Sequence, residues 1–112
     1  MKISNVIFYV RDIVKSKEFY KLLGFNTDNT SKFINYNTNT PGTYFSLMEA
    51  NDPIKEPGKQ VCVFYSSDID NLYNKLKVAN VTFSKELYIA PFGKTFSIRD
   101  LDGNKIEFVE QK

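Results

Sequence analysis

Two nine-residue stretches decide the reading of this chain: Asn5-Val6-Ile7-Phe8-Tyr9-Val10-Arg11-Asp12-Ile13 and Val61-Cys62-Val63-Phe64-Tyr65-Ser66-Ser67-Asp68-Ile69. Phe-Tyr and Asp-Ile recur in both at the same spacing, 56 residues apart in a chain of 112. Each stretch alternates like a strand and then meets an Asp. An Asp at that place can accept hydrogen bonds from the free N–H groups of a helix's first turn and suits the positive end of its dipole. The sequence therefore reads as two copies of a strand leading into a capped helix.

Working outward, Ile13, Ser16, Phe19, Tyr20 and Leu23 share one arc of the first helix. Ile69, Leu72, Tyr73, Leu76 and Ala79 do so on the second. Such one-sided helices cover a sheet. They end at Gly24 and Asn80, again 56 apart, and these residue types most readily take the left-handed cap conformation. Strand-like segments follow. In the first half they are Phe25–Thr30, Lys32–Tyr36 and Thr43–Glu49; in the second, Val81–Leu87, Lys94–Arg99 and Lys105–Glu110. Asp100-Leu101-Asp102-Gly103 reads as a tight turn. The expected fold class is α+β: two tandem βαβββ modules, about 1–50 and about 60–112. A linker at about 51–59, carrying Pro53, Pro57 and Gly58, joins them into one domain.

Composition narrows the function. Hydrophobic residues make up 42% and charged residues 25%, ordinary for a globular domain. Fifteen basic residues are dispersed among thirteen acidic ones, without the clustered stripe of a nucleic-acid footprint, so no nucleic-acid partner is expected. The opening apolar run, Val6–Val10, is too short for a signal peptide or a membrane span; a cytoplasmic protein with no membrane partner is the expectation. Cys62 is the single cysteine, and histidine is absent. Within this chain that excludes mechanisms built on Ser-His, Cys-His or His-metal arrangements. Ten Phe and seven Tyr exceed what a small core needs, which points to rings lining a cavity.

Three motifs resemble the vicinal oxygen chelate superfamily, the glyoxalase, bleomycin-resistance and extradiol-dioxygenase group. The first is Val10-Arg11-Asp12 with Ser16, Phe19-Tyr20 and Leu23-Gly24-Phe25. The second is Asp68-Ile69-Asp70. The third runs Phe96-Ser97-Ile98-Arg99-Asp100-Leu101-Asp102-Gly103-Asn104-Lys105-Ile106-Glu107-Phe108, with Leu101 where the family usually has Pro. The resemblance implies a U-shaped trough of mixed sheet covered by helices. It also implies a homodimer, formed by exchanging or abutting modules, and a small-molecule ligand.

In metal-binding members of that group the resemblance places ligands at positions held here by Asn5, by Val61 (or Gln60 in a shifted register) and by Glu107, with Glu49 a candidate fourth. Only Glu107 is a strong ligand, so no metal and no other cofactor is expected, a divalent metal being the alternative. Asp100, Asp102 and Asn104 have the spacing of a calcium loop, but its closing Glu position is Gln111; a turn is the better reading. Strand alternation puts Asn5, Ile7, Tyr9, Val61, Val63, Tyr65, Glu107 and Val109 toward the trough, with Cys62 and Phe64 toward the helices. Tyr36 and Phe92 are added as rim candidates. Glu107 would accept from a ligand, bind a cation or act as a general base. The favoured reading is a metal-free protein sequestering a partly aromatic or cationic compound. The alternative is a lyase, isomerase or dioxygenase using a degenerate metal site or Glu107 as base; a stand-alone interaction domain is a third.

Overall fold

The computed structural model describes residues 1–52 and 54–112; Pro53, one of the expected linker breakers, lies outside them. The elements run β1 (Asn5–Val10), α1 (Ile13–Lys21), β2 (Phe33–Asn37), β3 (Tyr44–Glu49), β4 (Val61–Ser66), α2 (Ile69–Val78), β5 (Phe83–Ala90), β6 (Gly93–Arg99) and β7 (Lys105–Glu110). They form two sheets, ordered β1-β3-β2 and β4-β7-β6-β5. In each, the first strand of the half pairs in parallel with its last, and the remaining pairs are antiparallel. This is the α+β architecture of a repeated βαβββ pattern, and neither sheet closes into a barrel.

One expected strand is absent. Phe25–Thr30 is outside any ladder. Its side chains bond locally instead: Thr27 Oγ1 accepts from Asn29 N–H at 3.0 Å, and Asn29 Oδ1 from Ser31 N–H at 2.8 Å. Such short polar groups offer the backbone an alternative to a ladder. Only Phe25 joins the core, with its ring 5.2 Å from both Tyr36 and Phe45.

The helix ends follow the repeat. Gly24 and Asn80 both have positive φ, 90° and 58°. Phe25 N–H donates to Tyr20 O and Val81 N–H to Leu76 O, the same six-to-one closure in both halves. The starts differ. Asp12 caps α1, accepting from Lys15 N–H at 3.1 Å. Asp68 makes no such bond to the backbone and accepts instead from the Asn71 side chain at 2.6 Å, so the second expected cap is not made.

The helix-facing sides of both sheets share one core. Phe45 contacts Phe8 (5.0 Å between centroids), Tyr20 (5.4 Å) and, across the modules, Phe64 (5.4 Å). Phe64 then continues through Phe108 to Phe96. Each fully buried ring of this kind contributes roughly 1.5–3 kcal/mol. The modules are also clamped by a polar hub. Asp100 Oδ2 accepts from Tyr20 Oη at 2.7 Å and from Asn104 Nδ2 at 2.9 Å, while its Oδ1 accepts from the N–H groups of Asp102 and Asn104. Asn104, wholly buried, donates to Tyr9 O and accepts from Gly58 and Gln60 N–H. The calcium-like spacing is thus spent on a turn whose carboxylate and amide groups tie module to module.

Candidate functional site

Because the helix faces meet in the core, the opposite faces of both sheets turn outward. The strand registers arrange these faces in rows, since paired residues share a side. On the four-stranded sheet the rows are Val61–Lys105–Arg99, then Val63–Glu107–Ser97–Lys85, then Tyr65–Val109–Thr95–Tyr88. On the three-stranded sheet they are Asn5–Tyr44–Asn37, Ile7–Ser46–Asn35 and Tyr9–Met48–Phe33.

Val61, Val63 and Tyr65 are 57%, 55% and 76% exposed, and Phe92, in the β5–β6 turn, is 53% exposed. Val63, Tyr65, Phe92, Val109, Glu110, Gln111 and Lys112 line a concavity of about 680 Å³, within the usual range for a small-molecule pocket. A second hollow, of about 470 Å³, lies where the end of β2 and the loop after it, residues 37–40, meet Val63 and Tyr65. The first module therefore approaches this face with a loop. Asn5, Ile7 and Tyr9 line neither hollow.

Tyr36, expected on the rim, is a correction. It is 3% exposed on the core side, where alternation along β2 puts it beside Phe25 and Phe45. Among the described residues its buried hydroxyl has no partner, and burial pushes its pKa up. Cys62 also faces the helices, and burial raises its thiol pKa, the opposite of an activated nucleophile.

The positions that would ligate a metal do not fit one. The register puts Ser46, not Glu49, at the place equivalent to Glu107: Ser46 sits beside Ile7 as Glu107 sits beside Val63. Glu49 instead caps α1, accepting from Ile13 N–H at 3.1 Å, and pairs with Lys32. Asn5 Nδ2 donates to Asn35 Oδ1 and to Ser46 Oγ, both at 2.9 Å, and its Oδ1 accepts from Ser4 Oγ, so its amide is already committed. Val61 has no donor atom. Among the described residues no three His, Cys, Asp or Glu side chains converge. Glu107 stands alone, with Thr95 Oγ1 at 3.4 Å. Sequence reasoning did not include Lys85, Arg99 and Lys105 in the site; only the register brings them onto this face.

Residues 2–108 match the model of the Glyoxalase/Bleomycin resistance protein/Dioxygenase superfamily, and the chain belongs to that superfamily. Several solved structures share its fold. TnmS3, an antibiotic binding protein from Streptomyces sp. CB03234, is 21% identical with a TM-score of 0.83, the match covering 100% of this chain and 97% of that one. A member of the same superfamily from Sphaerobacter thermophilus DSM 20745 is 25% identical with a TM-score of 0.79, covering 99% and 98%. A protein of unknown function from Agrobacterium tumefaciens str. C58 is 24% identical with a TM-score of 0.80, covering 100% and 95%. No curated protein matches the chain. Among the described residues no helix is long and apolar enough to cross a membrane.

Proposed function

We propose that this chain is a metal-free cytoplasmic binding protein, sequestering a small, partly aromatic compound in a trough that a second copy completes. One observation carries the reading: among the described residues no strand pairs the outer edge of β4, and its outward side chains are more than half exposed. Lys105 N–H bonds Gln60 O and Gln111 N–H bonds Ser66 O, so the even-numbered residues of β4 serve the ladder with β7. The backbone groups of Val61, Val63 and Tyr65 then point away from the sheet, while their apolar side chains stand in water. A naked edge beside an exposed apolar patch marks an interaction site. A homodimer laying the face of Asn5, Ile7 and Tyr9 from one copy against that of Val61, Val63 and Tyr65 from the other covers both.

The donor set supports the absence of a metal, and Glu107 is left as an acceptor for the ligand. The same residues weigh against the catalytic alternative, since among the described residues no ionisable side chain hydrogen-bonds or ion-pairs with Glu107.

The test is thermal unfolding of chelator-treated protein with nickel, cobalt, zinc, manganese and magnesium in turn, alongside sedimentation analysis of its mass. No metal should shift the transition, and the mass should be that of a dimer. A ligand at about a hundred times its Kd adds roughly 2.7 kcal/mol. A metal producing such a shift, lost in Glu107→Ala, would overturn the metal-free reading. A monomer at all concentrations would overturn the shared trough.

A further inference from the structure

We infer that the compound bound in this trough is an aromatic anion: an elongated molecule with its acidic group at Arg99 and Lys105 and its rings over Tyr65, Val109 and Phe92. The inference rests on the ligand-binding reading above and gives the ligand a charge opposite to the cationic one expected from the sequence.

The rows of the four-stranded sheet form a gradient. Arg99 and Lys105 face each other at one end, Lys85 and Glu107 lie in the middle row, and the other end holds Tyr65, Val109 and Tyr88. Three cations stand against one carboxylate. None of the four is in a salt bridge among the described residues. On the helix side of the same sheet Lys94 meets Asp70 at 2.9 Å and Glu86 meets Lys77 of α2. Glu110 and Lys112, at the aromatic end, offset each other in charge, so the positive excess is concentrated at the Arg99–Lys105 end of the open face.

Like charges directly opposite on neighbouring strands destabilise a sheet. Arg99 and Lys105 are such a pair. The Arg99 guanidinium donates through Nη1 to Gly103 O at 3.2 Å, a neutral acceptor that leaves the repulsion in place. An anion bridging the two cations relieves it, and guanidinium suits a carboxylate fork.

A second copy does not change the sign. The strand residues on the outer face of the three-stranded sheet are Asn, Ser, Tyr, Ile, Met and Phe, without a carboxylate or an ammonium among them. Whatever lies in the shared trough therefore meets the positive excess of the four-stranded sheet. Four residues separate the basic row from the Tyr65 row, about 13 Å at ~3.3 Å per residue, which sets the elongated shape.

Three probes of one shape test this: p-terphenyl-4-carboxylate, uncharged p-terphenyl-4-methanol, and p-terphenyl-4-methanaminium. Binding to the full chain is measured by calorimetric titration at low and high salt. The carboxylate should bind at least tenfold more tightly than the alcohol, weaken as salt rises, and lose that advantage in Arg99→Gln/Lys105→Gln. Tyr65→Ala should weaken carboxylate and alcohol alike. Both sites are on the open face, so thermal transitions no lower than that of the parent chain confirm folding of the variants, and relief of the Arg99–Lys105 repulsion should if anything raise that of the double variant. Equal binding of all three probes, or tighter binding of the ammonium, overturns the inference and leaves the ligand-binding reading standing. Binding of none overturns both.

Discussion

Replacing Asn104 with Ala should unlock the two modules from each other. The side chain is wholly buried and makes four bonds: donors to Tyr9 O (3.0 Å) and Asp100 Oδ2 (2.9 Å), acceptor from Gly58 N–H (3.0 Å) and Gln60 N–H (3.1 Å). Alanine removes all four at once. Asp100 Oδ2 keeps Tyr20 Oη and is not orphaned. Among the described residues Asn104 is the partner given for Gly58 N–H, Gln60 N–H and Tyr9 O, and each part-buried orphan costs about 1 kcal/mol or more. The expected loss is about 3 kcal/mol, a large share of the roughly 5–15 kcal/mol that holds a domain. At about 4 °C per kcal/mol for a chain of this size, Tm should fall by roughly 12 °C. The assay is urea unfolding followed by near-UV circular dichroism, with thermal unfolding beside it. Because the amide joins β1, the linker and the β6–β7 turn, the transition should also lose cooperativity. A loss below about 1 kcal/mol with an unchanged denaturant slope would refute the hub, showing that the aromatic core alone couples the halves.

Three further outcomes are expected. Gly24→Ala and Gly58→Ala impose similar backbone strain (φ 90° and 91°), but an added Cβ meets nothing within 4 Å at Gly24 and lies 2.2 Å from Asp102 O at Gly58. The first should cost about 1 kcal/mol and the second several times that; equal unfolding midpoints would refute the close linker–turn contact. Tyr36→Phe removes a buried hydroxyl without a partner and should leave stability unchanged or raise it by up to about 1 kcal/mol, read from the urea midpoint; a clear loss would show the hydroxyl to be bonded. Burial, then the Asp100 charge, raises the Tyr20 phenol well above its ordinary 10.0, so the folded state holds that proton more tightly than the unfolded chain. The resulting stability is complete below pH 10.0 and is lost as pH climbs from there toward the raised value, so unfolding free energy should decline over alkaline pH. Tyr20→Phe, less stable at neutral pH, should show a flatter decline.

Sequence periodicity determined the local order. Periodicity and the 56-residue offset placed both helices, both left-handed caps and all seven strands, with one further strand expected at Phe25–Thr30 that does not form, because alternation and a helix arc are properties of consecutive residues. It also assigned Phe8, Phe64, Ile106 and Phe108 to the core side and Val63, Tyr65 and Glu107 to the other. Phe25–Thr30 misled because one ring among polar residues resembles a strand start until those side chains find local partners. Tyr36 misled because its place on a later strand suggested a pocket rim, while alternation along β2 turns it to the core side.

Which residues become neighbours across strands was beyond the sequence, because register is set by tertiary packing and one residue of slip exchanges the faces. Register replaced Glu49 with Ser46 at the position equivalent to Glu107, set Arg99 against Lys105, and turned a scattered net charge into a basic end and an aromatic end on one face. The packing of the two helix sides into a single core decided the rest: it left β4 with an open face and an open edge. The pattern of apolar residues names the two sides of a strand, but only the three-dimensional packing determines which side another part of the same chain will cover.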